Sequence, residues 1–299
     1  MEKTTWQYWL ILGFGRFVQL FPYSWILRIG AVLGGAAYYF SGRHRERGVG
    51  HIQKALNYSE DQARDLIKEM YRNLGRSAFE VLYTPRLVRN PKETDQLIQL
   101  DFSPEFIAQL DQKKGGFLIT AHYGNWEWLT LGAAMASDKM GTIVKYQPQP
   151  WVNAWLNGNR RSTGVEVFPR TPDGKEVLAG IRSLRKGGFL GLLCDQDGGN
   201  QGIIVPFFGR LSSSMAGPAS LICRTGLPAF PSFIHRRPDG GHLLWVGKPL
   251  EPTQDINQMT AQIQEAIEAE IRKKPDEWLW LQRRWNTPVE QQEGGAAAE

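Results

Sequence analysis

One histidine in the sequence lies where an apolar, strand-like run gives way to the start of a helix. The stretch is GGFLITAHYGNWEW, residues 115–128, with His122 after the apolar run and Glu127 five positions later. Asn125 can cap the helix that follows, which places Glu127 in its first turn, where the helix dipole favours a carboxylate. Within one helix the two side chains would point roughly 140° apart. A histidine on the preceding loop, however, can fold back and meet the carboxylate.

This pair of residue types suits acid–base chemistry. A histidine with one ring nitrogen held by a carboxylate is an effective general base, because its tautomer is fixed and its imidazolium form is stabilised. Ligand sites in α/β sheets tend to lie at the carboxyl ends of strands. We therefore predict His122 and Glu127 as catalytic residues. The alternative is an ordinary strand-to-helix corner in which the histidine is structural.

The sequence contains no spacing typical of a metal site. No zinc-ligand pattern occurs, so we expect neither a metal nor another cofactor. Cys194 and Cys223 lie in apolar stretches without a CxxC partner. We expect both to be buried, reduced thiols, which favours a cytosol-facing protein.

The elements that must position His122 follow an alternating pattern. Strands are predicted at 116–121, 141–146, 188–194, 228–234 and 242–247. Helices are predicted at 126–136, 151–162, 174–186, 215–225 and from 256 to a stop at Pro275. This alternation predicts an α/β fold with a central mixed sheet flanked by helices.

An earlier helix is predicted over residues 59–83. Ser59 is a suitable N-cap, acidic residues cluster near the start, and apolar residues recur at every fourth position. We expect the Thr84-Pro85 pair to end this helix, because proline lacks the backbone N–H that a helix interior needs.

The first forty residues are dense in aromatic and aliphatic side chains. Arg16 and Arg28 are the only charges in WQYWLILGFGRFVQLFPYSWILRIGAVLGGAAYYF, and Pro22 is expected to divide the stretch into two helices. Such aromatics suit a membrane–water interface, where arginine stems can reach the headgroups. We predict a membrane-associating segment, spanning or interfacial, followed by a basic cytoplasmic flank in SGRHRERG, residues 41–48. The alternative is a helical hairpin buried on the domain.

The chain of 299 residues carries a formal net charge of +5, with a pI of about 9.2. This balance suits an anionic partner such as a phosphorylated lipid, an acidic carrier protein or a membrane surface. The basic residues are scattered and match no recognition motif, so we expect no nucleic acid. The predicted divisions are a membrane-associating helical segment at 1–42, an α/β domain at 43–288 and a disordered tail at 289–299.

Five ordered motifs carry a resemblance to a known family. They are AHYGNWEW around His122, NRRSTGVEVFPR (159–170), GGFLGLLCDQDGGNQGIIVPFFGR (187–210), SSSMAGPASLICRTGLPAFPSF (212–233) and PDEWLWLQRRW (275–285). In this order they resemble the motifs of the lipid A late acyltransferases, the lauroyl and myristoyl transferases of the lysophospholipid acyltransferase superfamily. The likeness extends over roughly residues 6 to 287.

The resemblance implies transfer of a fatty acyl chain from an acyl carrier protein to a hydroxyl of an anionic glycolipid, a lipid A precursor. His122 would take the proton of that hydroxyl while Glu127 holds the imidazole. No covalent enzyme intermediate is needed, in keeping with the lack of a Gly-x-Ser-x-Gly turn. Backbone amides at Gly124 and Asn125 are candidate oxyanion donors. The implied location is the cell inner membrane, with the catalytic domain facing the cytoplasm.

The resemblance also suggests substrate-binding residues. Arg161, and less directly Arg160, matches the family arginine and could bind phosphate, although both could be helix-surface residues. Asp195 and Asp197 follow a strand and could orient His122 or Arg161, or simply cap a glycine-rich turn. Arg283 and Arg284 could face a phosphate-rich interface. VPFFG and AGPASL could line a lipid pocket or belong to the core.

Three other functions fit parts of the sequence. A relative could acylate another lysophospholipid or a mannosylated phosphatidylinositol from acyl coenzyme A. Water in place of the acceptor hydroxyl would give a thioesterase with the same His122. A basic protein that only binds membrane surfaces would need neither His122 nor Glu127.

Overall fold

The computed structural model describes residues 5–169 and 175–289. The helices in this part of the chain are α1 Trp6–Val18, α2 Tyr23–Phe40, α3 Gly42–Leu56, α4 Glu60–Arg89, α5 Pro91–Leu97, α6 Pro104–Asp111, α7 Trp126–Ala136, α8 Pro150–Ser162, α9 Lys175–Arg185, α10 Ala216–Thr225 and α11 Ile256–Lys273. The strands are β1 Ile98–Phe102, β2 Gly116–Thr120, β3 Met140–Val144, β4 Glu166–Pro169, β5 Phe189–Leu193, β6 Ile203–Phe207, β7 Arg210–Ser214, β8 Ala229–Arg236 and β9 His242–Val246. All five predicted strands and all five predicted helices after residue 115 are confirmed.

Seven strands form the central sheet, in the order β1-β9-β8-β2-β5-β3-β4. Only the β8–β9 pair is antiparallel, and the other neighbours are parallel. The mixed sheet expected from the sequence is therefore confirmed. β2 and β5 are neighbours at its centre, so the residues that follow them leave the sheet side by side.

The sheet separates two apolar layers. In β2, Phe117 and Ile119 pack with α10 and α11 on one face, whereas Leu118 packs with Trp128 of α7 on the other. This division follows from the pleat, because successive side chains of a strand point to opposite faces. Both faces of β2 are buried, which explains why its sequence is continuously apolar.

Helix α4 extends past the position where it was expected to end. Ser59 forms a capping box with Gln62, as its sequence suggested, but the helix continues through Pro85 to Arg89. Pro85 cannot donate to the carbonyl of Val81, and the side-chain amide of Asn159 donates to that oxygen instead, at 3.3 Å. A tertiary hydrogen bond thus replaces the helical one, so the prediction of a helix end at Pro85 was wrong.

The first two helices pack on α4 through small residues. In α2, Ile26, Gly30 and Gly34 are buried. A Cβ on Gly30 would lie 2.7 Å from the carbonyl oxygen of Gly75, so the two backbones can approach only because this position is glycine. Pro22 is the N-cap residue of α2, which confirms that it divides the segment into two helices.

The opposite faces of these two helices carry exposed apolar side chains. Trp6 and Phe40 are exposed by 68% and 90%, Leu20 in the turn between the helices is exposed by 77%, and many neighbouring apolar side chains are exposed as well. In the part of the chain that the structure describes, no helix combines the length and apolar character that crossing a bilayer requires. Association with a membrane therefore stays a prediction. Of the predicted tail, residues 290–299 lie outside the described residues.

Candidate active site

His122 and Asp195 lie side by side because of the strand register. Thr120 of β2 is paired with Leu193 of β5 in the parallel ladder, and Cys194 continues the ladder with a 2.9 Å bond to the Thr120 carbonyl. Two residues beyond each strand, Nδ1 of His122 lies 2.8 Å from Oδ1 of Asp195. The backbone N–H of His122 donates to Oδ2 of the same carboxylate at 2.9 Å.

Asp195 is fully buried, and the C-terminal segment supplies its other hydrogen bonds. Nε1 of Trp278 and Nε2 of Gln282 each donate to Oδ2 at 2.8 Å. These donors are neutral, so they hold the carboxylate without cancelling its charge. An ionised carboxylate only accepts, so Nδ1 of His122 carries the proton and Nε2 is left basic. No described residue forms a hydrogen bond with Nε2.

The two groups shift one another's protonation. Burial alone would lower the pKa of His122, but the charge and hydrogen bond of Asp195, with a further contribution from the charge of Glu127, raise it above 6.5. Burial alone would raise the pKa of Asp195, but His122 and the bonds from its neighbours hold it well below its usual range. The His122 side chain is 18% exposed, so its ring is not sealed from solvent.

Glu127 does not make the expected contact with the imidazole. Its two carboxylate oxygens accept from Nε and Nη2 of Arg160, at 2.9 and 2.5 Å. The prediction that Glu127 holds the ring of His122 is therefore corrected: Asp195 holds it. Distance along the chain suggested the nearer carboxylate, whereas the parallel register delivers one that lies 73 residues away.

The Arg160 guanidinium is held by neighbouring side chains through some of its N–H groups, and the others are free to bind a ligand. Besides Glu127, it donates from Nη1 to Asn157 at 3.0 Å, and its side chain is 16% exposed. A guanidinium has five N–H groups, so two are left for a ligand. Arg161, expected to be the stronger candidate, is exposed, and its side chain forms no hydrogen bond or ion pair with a described residue. The structure thus brings Arg160, rather than Arg161, to the charged group beside His122.

Two other predicted binding residues have structural partners. Asn125 is buried, caps α7 by accepting from Trp128, and donates to Glu80 at 2.9 Å. Asp197 accepts from the hydroxyl and N–H of Thr287 and from Gly199. These contacts match the alternative in which Asp197 caps backbone groups of the glycine-rich turn. Binding of substrate by Asn125 or Asp197 is not tested by these contacts.

The C-terminal segment also holds the loop that carries His122. The N–H of Gly124 donates to the carbonyl of Glu277, and the N–H of Leu279 donates to the carbonyl of His122, at 2.9 and 3.0 Å. Gly124 has a φ of 57°, and a Cβ there would clash with the carbonyl of Ile234. Its N–H is therefore occupied, which corrects its assignment as an oxyanion donor.

Sequence reasoning missed Trp278 and Gln282 as residues of the site. Their signal was present in the motif PDEWLWLQRRW, but the motif was interpreted as a phosphate-facing surface through Arg283 and Arg284. Arg284 is instead fully buried, where it donates to Ser213, Ser214 and Gln264.

The VPFFG stretch also belongs to the core. Phe207 and Phe208 are buried in the cluster that contains Trp278, and both rings pack on the Trp278 indole. Cys194 and Cys223 are free and buried, as expected. Among the described residues, no group of three His, Cys, Asp or Glu side chains could hold a metal ion.

The sequence from residue 2 to residue 287 matches the profile of the family described as bacterial lipid A biosynthesis acyltransferase. The chain belongs to this family. The match spans every element that positions His122 and Asp195, including the C-terminal segment. The resemblance inferred from the five motifs is confirmed, and the protein is an acyltransferase.

Individual relatives show how the family varies. A lipid A biosynthesis lauroyltransferase of Escherichia coli (strain K12) is 26% identical over 95% of this chain and 93% of its own length. A lipid A biosynthesis palmitoleoyltransferase of the same strain is 26% identical over 94% and 92%. A phosphatidylinositol mannoside acyltransferase of Mycolicibacterium smegmatis is 27% identical over 64% of this chain and 63% of its own length. The likeness to the first two therefore covers nearly the whole acyltransferase.

Proposed function

We propose that this acyltransferase moves a fatty acyl chain from an acyl carrier protein thioester to a hydroxyl of a lipid A precursor, with His122 as general base. The observation that carries the proposal is the His122–Asp195 pair at the carboxyl ends of β2 and β5, with Nε2 left basic and the ring partly exposed. The near full-length likeness to lipid A acyltransferases supports the choice of acceptor.

In this mechanism, Nε2 of His122 removes the proton of the acceptor hydroxyl as its oxygen attacks the thioester carbonyl. Asp195 stabilises the imidazolium that forms and keeps the ring in place. When the tetrahedral intermediate collapses, the carbon–sulfur bond breaks and the imidazolium returns the proton to the departing sulfur. The products are the new ester and the free thiol of the carrier, with no covalent enzyme intermediate.

The oxyanion of that intermediate needs hydrogen-bond donors. Gly124 is excluded because its N–H is bonded to Glu277. The N–H groups of Trp126 and Glu127, in the first turn of α7, have no acceptor among the described residues. We assign them as donors, since the N-terminus of a helix favours negative charge.

Glu127 acts in this proposal by fixing Arg160 rather than by holding the imidazole. The bidentate pair and the bond to Asn157 leave two guanidinium N–H groups for a phosphate of the acceptor or of the carrier's prosthetic arm. The charge of Glu127 also favours protonated His122, which helps the base when it accepts its proton.

The exposed aromatic faces of α1 and α2 support placement on a membrane. The acceptor glycolipid would then reach the site from the bilayer, and the acidic carrier protein from the cytoplasm. The corresponding location is the inner membrane, with the catalytic domain facing the cytoplasm.

The test is acyl transfer by detergent-solubilised protein, read by mass spectrometry. Reactions offer acyl carrier protein or coenzyme A thioesters with a tetraacylated lipid A precursor or a phosphatidylinositol mannoside. The expected product is the lipid A precursor heavier by one acyl chain, formed from the carrier thioester. His122→Ala should abolish it, while His44→Ala, which alters an exposed histidine of α3, should not.

Other outcomes would replace the proposal. Release of free fatty acid alone would make the protein a thioesterase. Acylation of the phosphatidylinositol mannoside alone would show that the protein uses the acceptor of its mannoside acyltransferase relatives. Equal activity of wild type and His122→Ala would remove His122 as the base.

A further inference from the structure

A cavity of about 190 Å³ lies between α1, α4 and α8. A groove of about 320 Å³ adjoins it along α1, and Ile11 lines both. The groove is walled by Trp6, Leu10, Phe14 and Trp151. The cavity continues this apolar wall with Leu12, Leu82 and Trp155. We refer to the cavity and the adjoining groove together as the channel; Trp6 and Phe14, at its groove end, belong to the exposed aromatic face of α1.

Two exposed cations lie at the cavity end of this channel. Arg16 of α1 and Arg89 of α4 both line the cavity. Arg89 donates to the side chain of Gln19 at 2.7 Å, while the side chain of Arg16 forms no hydrogen bond or ion pair with a described residue. An apolar channel that ends at two arginines matches an amphiphile with an acyl chain and an anionic head.

Helix α8 separates this channel from the reaction site. Trp151, Trp155 and Asn159 recur every fourth residue and face the channel. Arg160 and Asn157 lie on another face of the helix and join Glu127 near His122. A lipid in the channel would therefore not be the one whose hydroxyl is activated.

We propose that this channel binds an anionic glycerophospholipid of the bilayer. Its phosphate lies between Arg16 and Arg89, and one acyl chain lies between α1 and α8. The bound lipid fills the space between α1 and Pro85 of α4. In this way it links α1 to the rest of the domain. The site does not depend on which acceptor the enzyme uses.

The test is calorimetric titration of the full-length protein in non-ionic detergent with dihexanoyl phosphatidylglycerol below its micelle concentration. Arg16→Ala should weaken binding by about tenfold or more, as expected for loss of a charge-assisted hydrogen bond. Ile11→Trp, which fills the channel, should weaken it comparably. Arg28→Ala is the matched control, because it removes the same charge from exposed α2, outside the channel.

Wild type should bind dihexanoyl phosphatidylcholine and inorganic phosphate at least tenfold more weakly than the anionic lipid. The proposal is overturned if phosphatidylcholine or phosphate binds as tightly, or if Arg28→Ala weakens binding as much as Arg16→Ala. It is also overturned if the tetraacylated lipid A precursor displaces the probe at concentrations near its KM, because the channel would then belong to the acceptor. Thermal unfolding of each variant confirms that it is folded.

Discussion

Among the described residues, two histidine–carboxylate pairs have a carboxylate that is fully buried, and their surroundings differ. In the first, Asp195 holds His122, whose ring is partly exposed. In the second, Glu80 of α4 accepts from Nε2 of His242 at 3.0 Å, and both side chains are fully buried. Glu80 also accepts from Tyr23 and Asn125 and pairs with Arg236, at 2.7, 2.9 and 2.8 Å.

The difference lies in how each negative charge is balanced. Arg236 neutralises Glu80 inside the protein. Although burial alone would raise the pKa of Glu80, Arg236 and His242 hold it well below its usual range. Asp195 accepts hydrogen bonds only from neutral donors and His122, and the nearby cation Arg284 donates to other acceptors. No cation is therefore paired directly with Asp195, and its charge can stabilise the imidazolium. The first arrangement suits proton transfer, and the second joins α2, α4, β8 and the start of α7 into one rigid unit.

The largest expected effect is on the first pair. Asp195→Asn should lower kcat by about 10⁴-fold, the loss known for an orienting aspartate changed to asparagine in a His–Asp pair. The protein should remain folded, because Trp278 and Gln282 can still donate to the amide oxygen. Initial rates measure the effect, and Asp239→Asn at the surface is the matched control. A kcat within tenfold of wild type would make Asp195 a structural residue.

Changing the second pair should instead affect stability. Glu80→Gln leaves Arg236 buried without its counter-charge, and the free energy of unfolding should fall by about 3–5 kcal/mol. Urea unfolding measures it. The control is Glu60→Gln, which alters the exposed pair with Arg64 and should cost less than about 1 kcal/mol. Unchanged stability with reduced kcat would contradict the assigned division of roles.

Tyr23→Phe tests one contact of the second pair. It removes only the hydroxyl that donates to Glu80, so the expected loss is about 1.5–3 kcal/mol, the range for a hydrogen bond to a charged group. The same urea experiment measures it. The rate at saturating substrate should remain close to wild type, and a large fall in kcat would show that this network also sets the chemistry.

The pH dependence of kcat/KM sharpens the comparison further. In the proposed mechanism neutral His122 is the active form, and its pKa is raised above 6.5. Activity should therefore fall tenfold per pH unit below that pKa, with the inflection above 6.5. In the residual activity of the Asp195→Asn variant, the inflection should move to lower pH, because the carboxylate charge that raises the pKa of His122 is gone. An inflection that does not move would mean that another group is titrating.

The sequence predicted the secondary-structure elements better than it predicted which side chains form hydrogen bonds with one another. The apolar runs before His122 and Asp195 identified β2 and β5, because both strands are buried on both faces. The sequence does not indicate that these two strands are neighbours in the sheet. Glu127 was therefore chosen because it is the carboxylate closest to His122 along the chain. Asp195 was considered for either His122 or Arg161, and only the register decides between them.

The other differences between the sequence-based predictions and the structure also arise from tertiary contacts. Pro85 was interpreted from its local sequence as the end of a helix. In the structure, the side-chain amide of Asn159 on α8 replaces the hydrogen bond that Pro85 cannot donate. The β6–β7 hairpin was not predicted, because VPFFG was considered only as a pocket wall or as part of the core, and it packs in the core on Trp278. The buried Arg284 could not be distinguished from exposed Arg283 by residue type alone.

The hydrogen bonds from Trp278 and Gln282 to Asp195 also affect how the enzyme matures. Asp195 leaves the ribosome 83 residues before Trp278, a delay of about 4–17 s at ordinary rates of synthesis. During that interval the nascent chain contains the base and its carboxylate but lacks the indole and amide that hold them. The donors that fix Asp195 are thus among the last parts of the fold to be made, so we expect a chain that ends before Trp278 to hold His122 and Asp195 without a fixed geometry.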